Sequence, residues 1–174
     1  MKTNAFGRRA VLALAVALSA ILAPTSVSAN NDPHRTFLPA APLDLPAGFC
    51  SFPVRLTNPV DKEYGTISTA PDGSTTIRIT GSLFTTVTNE DTGKAITLNT
   101  SGPGTVAIFP DGTDIAHVKG VGLLFAANGP QVGLPSGLVL LSGPVDFIGN
   151  LNNGTVTSFL TPPHVLLDIC PALA

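Results

Sequence analysis

From Cys50 onward the chain alternates apolar and polar residues. Cys50, Phe52, Val54 and Leu56 alternate with Ser51, Pro53 and Arg55; Ile77 and Ile79 with Thr76, Arg78 and Thr80; Ile96 and Leu98 with Thr97 and Asn99. A period of two is that of a strand with one face against a core. Turn words separate the runs. Pro71-Asp72-Gly73-Ser74 joins Gly65–Thr69 to Thr75–Gly81 as a hairpin, because Asp-Gly supplies the positive φ such turns demand. Leu83–Thr88 and Lys94–Thr100 flank Asn89–Gly93, and Thr105–Phe109 and Ile115–Ala127 flank Pro110–Thr113. Gly137–Leu141, Val145–Ile148 and Thr155–Thr161 follow, the last after the turn Asn152-Asn153-Gly154. With Phe49–Thr57 at the front, this predicts about nine strands in roughly 120 residues. Ala127–Gly137 reads as a loop, and Pro162–Cys170 as a last strand or a short helical turn.

Two stretches break the alternation. Val121–Ala127 and Leu138–Leu141 are apolar at successive positions, as in strands covered on both faces. Three arrangements account for this: a sheet packed on both sides, a cavity lined by apolar side chains, or a surface covered by a partner. Val121, Leu123, Phe125, Leu138 and Leu140 are accordingly the candidate ligand-binding residues.

A weak internal repeat runs through the same region. Pro71-Asp72-Gly73-Ser74 matches Pro110-Asp111-Gly112-Thr113, Gly81 matches Gly120, and Asn89 matches Asn128; Ser101-Gly102-Pro103 matches Ser142-Gly143-Pro144 at a slightly longer offset. Either a unit was duplicated with pseudo-twofold symmetry, or a turn-rich β protein reuses the same turns.

The amino-terminal region follows other rules. Lys2, Arg8 and Arg9 precede an apolar run from Ala10 to Ala23, then Pro24 and the small residues up to Val27-Ser28-Ala29. That run is shorter than the roughly 20 residues needed to span a bilayer. Residues 1–29 therefore read as a cleaved signal peptide of a secreted protein, and Arg8-Arg9-Ala10-Val11-Leu12 also fits the twin-arginine export pattern. Residues 30–47, with Pro33, Pro39, Pro42 and Pro46, read as an extended leader that is mobile up to about Phe37. Residues 48–174 then form a single β domain with no transmembrane anchor.

Export changes the meaning of the two cysteines. In an oxidising compartment Cys50 and Cys170 have one intramolecular pairing, and closing so long a loop is worth roughly 5 kcal/mol in the chain-entropy model. The pairing brings the first strand to the last segment. The predicted fold is thus all-β: an antiparallel barrel or a two-sheet sandwich of about eight to ten strands, its ends tied by sulfur.

Composition narrows the partners. Charged residues are 11% of the chain, against about a quarter in ordinary domains. Removing the signal peptide takes three of nine basic residues and no acid, leaving six against eleven and a net charge of −5. Nucleic acid needs a basic field and is excluded as a partner.

Catalytic and metal signatures are sparse. There is no G-x-S-x-G, and His34, His117 and His164 are the only histidines. His117 with Asp114, or His164 with Asp168, are the pairs from which an active site would be built. H-E-x-x-H and EF-hand spacings do not occur, and the acids fall mostly in turns. No catalytic residue, metal ligand or cofactor is nominated.

Pro46-Ala47-Gly48-Phe49-Cys50-Ser51-Phe52-Pro53-Val54, Ser101-Gly102-Pro103-Gly104, Pro110-Asp111-Gly112 and Asp168-Ile169-Cys170-Pro171-Ala172-Leu173 stand in an order that resembles small secreted β-rich proteins of actinobacteria. The resemblance implies secretion and a β-rich fold and carries no activity or site residue. The functional expectation is a non-catalytic secreted domain that binds a small apolar ligand in a barrel interior. The alternative is a structural or interaction module of the cell envelope, acting through a strand edge or apolar patch. Oligomeric state is left open.

Overall fold

A computed structural model describes residues 35–126, 128–152 and 155–174. Residues 1–34, with the expected signal peptide and His34, residue 127, and part of the Asn152-Asn153-Gly154 turn lie outside them.

The described part of the Pro-rich leader is docked on the sheet, including Thr36 and Phe37, where the sequence predicts mobility. Strands β1 (Thr36–Phe37) and β2 (Leu43–Leu45) both pair antiparallel with β3 (Val54–Thr69). Between them Leu38 N donates to Glu63 O at 3.0 Å and Ala40 N to the Asp61 carboxylate at 2.7 Å. β3 begins later than Phe49 because Pro53 has no N–H to enter a ladder; Cys50 lies in the turn before it.

β3 and β4 (Thr75–Asn89) form one long hairpin, so Thr75–Gly81 and Leu83–Thr88 are halves of a single strand. The two halves have different neighbours. Phe84–Thr88 pair with β5 (Ala95–Asn99), and Thr75–Ile79 with β6 (Gly104–Ile108). β7 (Thr113–Val118), β10 (Val145–Asn150) and β11 (Thr155–Thr161) complete a nine-stranded sheet. A bulge between Thr57 and Val60, at Asn58-Pro59, breaks the β3–β4 register opposite Thr85, within the half that pairs with β5.

Ile115–Ala127 is not one strand. The chain leaves the large sheet after Val118 and enters the small one as β8 (Val121–Ala126). Gly120, at φ 109°, makes that change of direction, and a Cβ there would lie 2.8 Å from Gly102 Cα and from Ser101 O. A 3-10 turn at Gly129–Val132 leads to β9 (Gly137–Ser142), which pairs with β8 and with β12 (His164–Asp168) as a three-stranded antiparallel sheet. The closing segment is strand and helix in succession, since α1 (Ile169–Leu173) follows β12 directly.

The doubly apolar strands are covered on both faces. Leu138 and Leu140 of β9, with Val121, Leu123 and Phe125 of β8, pack against Val54, Leu56 and Val87 of β3 and β4, together with Ile169 and Leu173 of α1. The alternate residues Leu124, Ala126, Val139 and Leu141 pack against Ala116, Val145, Phe147 and Val156 of β7, β10 and β11. The large sheet therefore folds round the small one.

Neither sheet closes on itself, so of the two predicted architectures the sandwich is the one formed and the barrel is set aside. A barrel needs its edge strands to pair with each other. Here β1 and β11, at the two ends of the large sheet's order, do not pair with each other. Cys50 and Cys170 are bonded, with Cα atoms 5.3 Å apart, and join the segment before β3 to α1.

The repeated turns are built alike. Ala70 N donates to Ser74 O, and Phe109 N to Thr113 O, both at 2.8 Å. The Asp72 and Asp111 carboxylates each accept from the backbone N–H two residues on, both at 2.9 Å. Because Thr75 pairs with Ile108, the β3–β4 and β6–β7 hairpins stand side by side with both turns at one end. The units are related by a step along the sheet, not by the pseudo-twofold axis.

Candidate functional site

Inward-facing rows of the large sheet build one wall of an apolar cavity. Register places Ile77, Val106, Ala116 and Phe147 in one row across β4, β6, β7 and β10, and Ile79, Gly104, Val118 and Val145 in the next. The opposite wall comes from β8 and β9 through Gly122, Leu124 and Leu141. Ala116 on one side and Gly122 on the other put small residues into the two walls. The cavity between the sheets has a volume of about 190 Å³ and no charged side chain in its lining. An engineered apolar cavity of about 150 Å³ in another protein holds benzene, so this one accommodates a molecule of that size or slightly larger.

Of the five residues nominated from sequence, Leu123 lines this cavity. Val121, Phe125, Leu138 and Leu140 belong to the core on the other face of the small sheet, where Phe125 meets Phe49 edge-on at 6.1 Å. The lining residues that sequence reading missed sit mainly on β6, β7 and β10, with Ile79 of β4, Leu124 of β8 and Leu141 of β9 beside them. Their signal was ordinary alternation, Val106/Ile108, Ala116/Val118 and Val145/Phe147, which marks a core face without telling a filled core from a hollow one.

Two carboxyl groups lie on the inward side of the large sheet. Asp114 of β7 is 1% exposed, and burial raises its carboxyl above the ordinary aspartate value. Glu63 of β3, opposite Gly81, is pushed up to about 7, first by burial and then by the charge of Asp61.

Neither of the two histidine–acid pairs expected of an active site, His117 with Asp114 and His164 with Asp168, is formed. Asp114 and His117 point to opposite faces of β7, and His117 Nδ1 instead lies 2.7 Å from Asp146 Oδ1 on the solvent side. Thr161 Oγ1 donates to the other Asp146 oxygen at 2.9 Å. These bonds, the one with His117 first, hold the Asp146 carboxyl below its usual value. His164 Nδ1 is 3.1 Å from Ser142 Oγ, while Asp168 Oδ1 is buried without a partner. His117 thus meets an acid and His164 a hydroxyl, both at exposed positions. Among the described residues, no three His, Cys, Asp or Glu side chains converge to hold a metal ion. No helix there is long and apolar enough to cross a membrane.

Compared with known proteins, the chain matches no family model, no curated protein and no solved structure.

Proposed function

We propose that this protein is a secreted, non-catalytic binding domain that holds a small apolar ligand between its two sheets. The observation that carries the reading is the cavity walled by Val106, Ala116, Val118, Leu124 and Phe147. An apolar gap of that size leaves lining side chains without close partners, and an apolar guest supplies them. Secretion rests on the signal-like residues 1–29 and on the Cys50–Cys170 bond, which suits an oxidising compartment. The resemblance to small secreted actinobacterial proteins points the same way.

Native mass spectrometry of protein purified from its host, before and after organic extraction, tests this reading. A small mass increment that extraction removes is the expected result. An unliganded mass in both samples, together with failure to take up small aromatics, would sink it.

A second reading has its own support. Leu160 on β11 and Leu166 on β12 are 59% and 46% exposed, and both strands are sheet edges. Exposed leucines on unpaired edges suit an interaction module of the cell envelope, or self-association. Sedimentation that stays monomeric as concentration rises, with no envelope component co-purifying, counts against it.

A further inference from the structure

We propose that Asp114 is the polar anchor of the cavity, and that the ligand is a small apolar molecule carrying one hydrogen-bond donor, an alcohol or an ammonium group. The inference rests on the cavity reading above and gives it a ligand class. Asp114 pairs with Ile108 on one side and Gly149 on the other, and Ala116 is the next residue on its face. Ile108, Ala116 and Phe147 all line the cavity, so the carboxyl stands at the end of the apolar lining.

Its place is made by a missing side chain, since a Cβ on Gly149 would fall 2.7 Å from Asp114 Oδ1. Oδ2 is buried and has no hydrogen-bond partner. Such an atom is rare in folded proteins and costs stability until a donor meets it. An ionised carboxylate only accepts hydrogen bonds, so the complementary ligand group is a donor, and a charged donor suits it best. His117 cannot serve, because it faces solvent and is engaged by Asp146. Leu151, whose N–H is bonded to Gly112 O at 2.9 Å, also lines the cavity. Asp114 stands just outside the lining, so binding through Oδ2 requires the packing between it and the cavity to yield to the ligand's donor.

The experiment titrates toluene, benzyl alcohol and benzylamine into the folded protein at pH 7.5, using calorimetry or methyl NMR. The wild type is compared with Asp114→Asn and Asp114→Leu, whose folding is checked by thermal melts. Benzyl alcohol and benzylamine are expected to bind the wild type at least tenfold more tightly than toluene. Asp114→Leu should remove that preference, so that the three probes bind this variant within a factor of about two or three of one another. Asp114→Asn, which keeps an acceptor but no charge, should lose it mainly for benzylamine. Toluene binding with no donor preference, or a preference that survives in Asp114→Leu, overturns the role of Asp114 and leaves the cavity reading standing. If none of the three probes binds, both fall together.

Discussion

Glu63 carries the clearest pH signature in the molecule. Its folded-state value of about 7 lies above the ordinary 4.5 because the folded chain withdraws it from water and places Asp61 two residues away on the same face. The folded protein therefore binds that proton more tightly than the unfolded chain does. The proton's contribution to stability is complete below about pH 4.5 and lost as pH rises to about 7. Allowing for solvent screening at this partly exposed site, the loss is about 1–2 kcal/mol. Urea melts between pH 4.5 and 7.5 should show it, and Glu63→Gln should flatten the profile in that window. An unchanged slope in the variant would place the titrating group elsewhere. Asp146 acts in the opposite sense and at lower pH. Its carboxyl is held below the usual value by His117 and Thr161, so its contribution is present near neutrality and disappears on acidification below the ordinary aspartate range.

At the scale of elements, Gly120 does what no other residue can do at its position. It combines a left-handed φ of 109° with backbone contacts to the Gly102 segment that leave no room for a methyl group. Gly93 also has a positive φ, 73°, but open space where a Cβ would go. Gly93→Ala should cost about 1 kcal/mol, the backbone penalty alone. Gly120→Ala should cost several kcal/mol or abolish folding, because it adds overlap with the Ser101-Gly102 backbone. Equal chemical-denaturation midpoints for the two variants would show that the crossing at Gly120 is not tight.

The same residue explains much of what the sequence withheld. Alternation at Cys50–Leu56, Ile77–Thr80 and Ile96–Asn99 was legible because a strand with one dry face leaves a period of two, and the Pro-Asp-Gly turns were legible because their φ demands are local. The split of Ile115–Ala127 was not, since Lys119-Gly120 reads as an ordinary pair inside an apolar run. The docking of residues 36–45 onto β3 was equally hidden, because prolines mark extended chain without saying what it pairs with. The cavity depends on which rows of β6, β7 and β10 face Gly122, and that register is a tertiary property. The doubly apolar β8 and β9 were read correctly as unusual. Most of their excess goes to covering both faces of the small sheet, and a smaller share lines the void.

For the molecule as a whole, the Cys50–Cys170 bond closes a loop of 120 residues and ties α1 to the start of β3. Replacing both cysteines with serine should cost 2–5 kcal/mol, a large part of what holds a domain of this size folded. A calorimetric midpoint that fell only slightly would mean that the unfolded chain is already restricted by other means.

The central claim, that the gap between the sheets is a place for a small apolar guest, is tested most directly by filling it. Ala116 is 1% exposed and sits in the middle of the wall. Methyl NMR during toluene titration, on wild type and on Ala116→Leu, reads the result residue by residue. Toluene should shift the methyls of Val106, Leu124 and Leu141 in the wild type and leave Leu138 in the opposite core unmoved. Ala116→Leu should remove those shifts while melting at a higher temperature. Shifts centred on Leu138 and Leu140, or a wild type indifferent to toluene, would contradict the account.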